Sequence, residues 1–264
     1  MTDEERFAWR RVEELGQRVL QQGALLELDA ETQAILRAGA QLVALGPEDT
    51  EHALRGVSTA TTLLVEIRRR IGEGSRRLGK AMSQTEALRE QGDFAGARKV
   101  LEEALAVETV PHYREQLDIQ LDYLATFEAI FQSGHLEEDF HPWGQLRALA
   151  LRARSGRPLL RRDDLRDFLL RTAPSLAFSE AEVSEAFQTG GGTEALLTLM
   201  LKRIDEGKQR ISQALHQMML RQEAGDLDGA RQPLQEVLAV EVVPRYRHMA
   251  EEHLANLEEP PRPR

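Results

Sequence analysis

Arg70, Glu73 and Arg77 return as Arg203, Glu206 and Arg210, each 133 residues further along a chain of 264. Steps of three and four put each trio on one ridge of a helix. A guanidinium carries a planar fork of donors that fits a carboxylate, so such a ridge facing solvent would grip an acidic partner. Turned sideways, the same arginines pair with glutamates of their own helix, at a few tenths of a kcal/mol per pair. These six residues are the candidate partner-binding set, and RRRIGEGSRR makes the first trio denser in charge than KRIDEGKQR makes the second. His135, Glu137, Glu138, Asp139 and His141 include metal-ligand types, but not two histidines one helical turn apart, and no metal is expected there. Gly190, Gly191 and Gly192 precede a helix and could offer amides to an anion. No P-loop lysine follows, and the first copy has VSTATTLL there, which predicts an eroded helix start instead. None of the seven histidines recurs with a serine nucleophile in both copies. The chain is read as a non-enzyme without catalytic residues, metal or cofactor.

The elements that must position these residues are helices, because Leu, Ala, Val and Ile are spaced by three and four and strand-like alternation is nearly absent. GDFAGARKVLEEALAVETVPHYR, from Gly92, and GDLDGARQPLQEVLAVEVVPRYR, from Gly225, are identical at 15 of 23 positions. That predicts two homologous domains of about six helices, each built on one long central helix. Gly92 and Gly225 turn the long helix back, and Pro111 and Pro244 open the last helix, so the four form a structural joint. Within it Glu108/Glu241 and Arg114/Arg247 are either an inter-helix ion pair or a duplicated binding site, while Tyr113/Tyr246 is a core aromatic with its hydroxyl at the edge. Thr2 with Glu5 and Ser179 with Glu182 form capping boxes, Asp29 caps ETQAILRAG, and Gly23 and Gly156 stop the leading helices. Leu20 is placed on the buried side of the first helix, and Trp143 matches Trp9 with a slip of one residue. The expected boundaries are 1–132 for the first domain, 133–142 for a linker, 143–258 for the second domain and 259–264 for a frayed tail. Pro174, Gly190 to Gly192 and Pro233 lower helix propensity in the second copy alone.

Taken together, the leading tryptophan helix, ETQAILRAGAQLVAL, ATTLLVEIRRRIGEGSRRLGKAM and the G-D-x-x-G-A-R…L-A-V-E-x-V-P-x-Y-R phrase resemble the DUSAM domain family of myxobacterial proteins, whose copies recur in tandem. The resemblance spans nearly the whole chain and implies fold and lineage without an assigned activity. Gly92, Asp93, Phe94, Ala97, Leu101, Ala104 and Leu105 are also similar to the middle of a tetratricopeptide repeat. That implies one such hairpin per copy rather than a solenoid, since the period is not about 34 residues.

The charge balance, 44 acidic against 34 basic side chains, opposes a phosphate-tracking nucleic-acid binder. Without cysteine there is no disulfide or thiolate chemistry, and no apolar run approaches the roughly 18 residues of a membrane span. The charged start is read as helix rather than signal peptide, and the compartment as cytoplasmic. The function expected is non-catalytic binding of another protein, in a narrower form as an inhibitor or immunity protein. The alternative is an enzyme or small-ligand sensor using a cleft between the two copies.

Overall fold

The computed structural model describes residues 1–159 and 162–258. Every regular element among them is helical. In the first copy these are α1 (Asp3–Gly16), α2 (Ala30–Leu42), α3 (Pro47–Ala53), α4 (Val57–Glu90), α5 (Phe94–Val107) and α6 (Pro111–Ser133). The second copy has α7 (Pro142–Arg154), α8 (Arg162–Thr172), α9 (Glu180–Ala186), α10 (Gly192–Glu223), α11 (Leu227–Val240) and α12 (Pro244–Glu258). The chain divides into two compact units, Met1–Ala125 and Thr126–Arg264, so α6 holds residues of both. Of the segment expected to be a linker, 133–142, residues 134–141 lie between α6 and α7 while Ser133 ends α6 and Pro142 begins α7, and the tail expected at 259–264 lies outside the described residues.

Local chemistry explains the helix ends. The side chain of Thr2 accepts from the Glu5 amide while Glu5 accepts from the Thr2 amide, and Ser179 and Glu182 repeat the arrangement before α9. Asp29 caps α2 through the amide of Thr32, and Pro47 occupies the first turn of α3, where its missing N–H costs nothing. After α1 the chain widens into a π turn at Gln17–Gln21. A π turn advances less per residue than an α-helix, so the apolar register drifts: Val19 is buried, whereas Leu20 remains 39% exposed, against expectation.

The long helices form the spine of each unit. Ile67 and Ile71 of α4 lie in a core with Val12, Leu36, Leu64 and Val110, and Met200, Ile204 and Ile211 of α10 are buried in the second unit. Each long helix returns through one tight turn. Gly92 and Gly225 both sit at φ +79°, left-handed backbone that a glycine adopts without strain. The following amide closes each turn by donating back to the helix, Asp93 to Leu88 and Asp226 to Arg221, both at 2.9 Å. Asp93 and Asp226 then cap the next helix through the amides of Gly96 and Gly229. A Cβ on Gly96 would meet the Asp93 carboxylate, as one on Gly229 would meet that of Asp226. The phrase G-D-x-x-G is thus a turn, a cap and the space that the cap needs.

Pro233 lies inside α11 without breaking it. Proline cannot bond the carbonyl four residues back, that of Gly229. Nη1 of Arg221 donates to this carbonyl at 2.7 Å. The first copy has Leu88 and Val100 at the corresponding positions and needs no such repair.

Candidate functional site: a duplicated joint

Glu108 follows α5 and Glu241 follows α11, and they are only 3% and 1% exposed. Burying a carboxylate costs several kcal/mol unless its charge and lone pairs are met. Here they are met. One oxygen of Glu241 accepts from the amides of Val242 and Val243, at 2.9 and 2.8 Å, and the other accepts from Arg210, at 2.9 and 3.0 Å. Glu108 accepts from Thr109, Val110 and Arg77 in the same way. Arg114 and Arg247 complete the corner: each donates to the carbonyl of the buried glutamate and to one three residues earlier, Leu105 or Leu238.

Tyr113 and Tyr246 tie this corner to the long helix. Their hydroxyls donate to the carbonyls of Ile71 and Ile204, at 3.2 and 3.0 Å, and burial pushes both phenols above their ordinary pKa. Each ring lies flat enough against the helix that only glycine fits beneath it. A Cβ on Gly74 would come within 2.7 Å of Cε2 of Tyr113, and one on Gly207 within 2.5 Å of Cε2 of Tyr246. Trp9 meets Tyr113 edge-on with ring centres 5.8 Å apart, and Trp143 meets Tyr246 at 5.7 Å, the slipped equivalence read from the sequence.

One helical turn back, Arg70 and Arg203 hold a second duplicated feature. Ala44 and Ala177 adopt φ +55° and +57°, where alanine is strained. Arg70 donates to the carbonyls of Val43 and Ala44, and Arg203 to those of Leu176 and Ala177. Glu66 holds Arg70 in place, and with Arg69 and Arg70 both donating to it, its carboxyl is pushed down to about 2. In the second copy Leu199 replaces Glu66, and Arg203 instead lies over the Phe178 ring, 3.7 Å from its centre.

A family model described as Protein of unknown function (DUF2379) matches residues 7–124 and again 141–257. The chain belongs to the DUF2379 family, in two tandem copies. The two matches contain both halves of the joint, which is therefore a feature of each DUF2379 copy in this chain. No curated protein and no solved structure matches it.

Of the six candidate partner-binding residues, the arginines are drawn inward. Arg70 and Arg203 brace the left-handed alanines, and Arg77 and Arg210 neutralise the buried glutamates. Glu73 accepts from Arg69 at 2.6 Å, and Glu206 lies 3.7 Å from Lys202 and 3.8 Å from Arg210. Sequence reasoning missed Gly74 and Gly207, although their recurrence at the common offset was a signal that Gly72 and Gly79, replaced by Asp205 and Ser212, do not give.

Among the described residues no group of three or more His, Asp or Glu side chains is placed to hold a metal ion. His141 caps α7, its Nδ1 accepting from the Trp143 amide, and burial together with nearby Arg245 lowers its pKa. Gly191, at φ +76°, precedes α10, which begins two residues later than α4 does in the first copy. No described helix is long and apolar enough to cross a membrane.

Proposed function

We propose that this DUF2379 chain is a non-catalytic protein-binding scaffold acting in the cytoplasm, in which the duplicated joint fixes the fold and the surrounding surface recognises a partner. The observation that carries this reading is the contrast between what recurs and what does not. The polar groups common to both copies close bonds inside their own unit, while the surface at the start of α6 is rewritten in α12: His112, Glu115 and Asp122 correspond to Arg245, His248 and Ala255. A scaffold kept constant beneath a changed face is what a binding module requires. The DUSAM resemblance is in keeping with a module of this kind, and the α4–α5 and α10–α11 hairpins play the part of a tetratricopeptide-like pair. An inhibitor or immunity role is the narrower form of the same reading.

A photo-crosslinking amino acid in place of Gln41, which lines a groove in the first unit, should trap a discrete protein in native lysate. The same group in place of Lys99, exposed on α5, should not. Equal trapping at both positions, or none at Gln41, refutes the proposal. A second reading, a small-ligand sensor, is favoured by the volume of that groove, about 690 Å³, which falls in the range of ligand sites. Native mass spectrometry would show such a ligand as a fixed mass increment.

A further inference from the structure

We infer that α6 is a coupling element, through which a change at the joint of the first unit alters the stability of the second. This goes beyond the protein-binding reading and does not depend on it. α6 starts in one unit and finishes in the other, the boundary falling after Ala125. Each half carries bonds and burial that its own unit needs.

In the first half, Tyr113 donates to the Ile71 carbonyl and its ring closes over Gly74. Leu117 and Leu124 are buried further along, and the Arg89 guanidinium lies over the Tyr123 ring, 5.5 Å from its centre. In the second half, Phe127, Ile130 and Phe131 are only 2%, 0% and 6% exposed. Apolar side chains of that size, so fully removed from water, are core rather than connection.

The end of α6 is clasped from α7 and from the chain just beyond it. Arg152, 7% exposed, donates from Nη1 to the carbonyls of Phe131 and Gln132, at 2.6 and 2.8 Å, and from Nε to that of Pro158. The last carbonyls of a helix have no partner within it and carry the negative end of its dipole, so a buried guanidinium there satisfies them and is satisfied. Arg157 adds a second hold, donating to Oε1 of Gln132 at 2.5 Å and lying 4.6 Å from the centre of the Phe131 ring. The Gln145 side chain then donates to the carbonyls of Glu137 and Phe140, both at 2.7 Å, and accepts from the Glu137 amide. Residues 126–140, which fall between the two DUF2379 matches, are thus tied into the second unit. Helix formation is cooperative, since each turn already fixed lowers the cost of fixing the next. No glycine, and no proline after Pro111, interrupts α6. Loosening its first half at Tyr113 therefore raises the cost of holding Phe127, Ile130 and Phe131 in place.

The test is urea unfolding of the full chain, read for the second unit by Trp143 in a Trp9→Phe background and for the first by Trp9 in a Trp143→Phe background. Tyr113→Phe, which removes the bond to Ile71, should lower the midpoint read by Trp9 and also the midpoint read by Trp143. Ala125→Gly combined with Thr126→Gly weakens the helix at the boundary. It should shrink the shift that Tyr113→Phe passes to Trp143 and leave the shift at Trp9 in place; should the pair unfold the second unit, Ala125→Gly alone gives the same comparison. A Trp143 midpoint that Tyr113→Phe leaves unmoved, or a transmitted shift that the glycines leave as large, overturns the inference. Ile130→Ala probes the other end and should lower the Trp143 midpoint further than the Trp9 midpoint. If it leaves no folded second unit, Ile130→Val should give the same order in milder form. An equal or reversed order overturns the role of that half as core of the second unit, and the coupling falls with it.

Discussion

Gly74 shares α4 with two other glycines that differ from it in one respect. A Cβ on Gly72 or on Gly79 would meet nothing within 4 Å, whereas one on Gly74 would be driven into the Tyr113 ring and would reach 3.1 Å from Oε1 of Glu108. Alanine in a helix interior is worth roughly 1 kcal/mol over glycine. Gly72→Ala and Gly79→Ala should therefore stabilise the first unit by about 0.5–1 kcal/mol each. At Gly74 the same gain is opposed by overpacking of about 1–3 kcal/mol, and by weakening of the Tyr113 hydroxyl bond to Ile71, about 1 kcal/mol more. The ring cannot swing away freely, because Trp9 meets it on another side and its hydroxyl is tethered. The net expectation for Gly74→Ala is a loss of roughly 1–3 kcal/mol, opposite in sign to its neighbours. The chain has two tryptophans, Trp9 in the first unit and Trp143 in the second. In a Trp143→Phe background, urea unfolding followed by Trp9 fluorescence reports the first unit. If all three alanines stabilise alike, the joint does not require that glycine and the account of it is wrong.

Ala177→Gly should stabilise the second unit by about 0.5–1 kcal/mol, since φ +57° strains alanine; unfolding followed by Trp143 checks the sign. Gly225→Val should cost roughly 1–2 kcal/mol through its left-handed φ alone, because open space surrounds the site. Arg221→Leu should cost more beside Pro233 than in a Pro233→Val background, and a double-mutant cycle with a coupling below about 0.5 kcal/mol would refute the repair of the Gly229 carbonyl. Glu66 has a folded pKa of about 2 against an ordinary 4.5, so its contribution is fully present above about 4.5 and is lost as pH falls towards 2. Thermal melts should therefore show the wild type losing more stability than Glu66→Gln between neutral pH and about pH 3.

The spacing of apolar residues revealed the helices, and the 133-residue offset revealed the duplication, because both are properties of the chain read in order. The joint was legible only in part. Glu108, Arg114 and Tyr113 stood out by recurring within one phrase, but their partners Arg77 and Gly74 lie more than thirty residues upstream on another helix. Helical spacing places Arg77 on a ridge with Glu73 and leaves open whether that ridge faces water. It turns inward because Glu108 is buried after α5, and a buried carboxylate draws the nearest guanidinium to it.

The groove was hidden for a different reason. Its carboxylates come from α1 and α6 and its apolar floor from α1, α2 and α6, so no window of sequence contains it. What the sequence does contain is a comparison between copies, and that comparison separates two kinds of residue. Positions that recur with the same bonds, such as Tyr113/Tyr246 and Arg114/Arg247, answer to the fold. Positions that change while those bonds persist, such as Glu115/His248 and Asp122/Ala255, are released from the fold and open to another demand. A duplicated chain thus carries its own control: the second copy keeps an acid, Glu251, where the first has Asp118, yet closes the same corner with His248 and Ala255 in place of Glu115 and Asp122. What differs between the copies on this face is therefore not set by the bonds that close the corner, since Arg114 and Arg247 make the same pair of bonds on either side of the change.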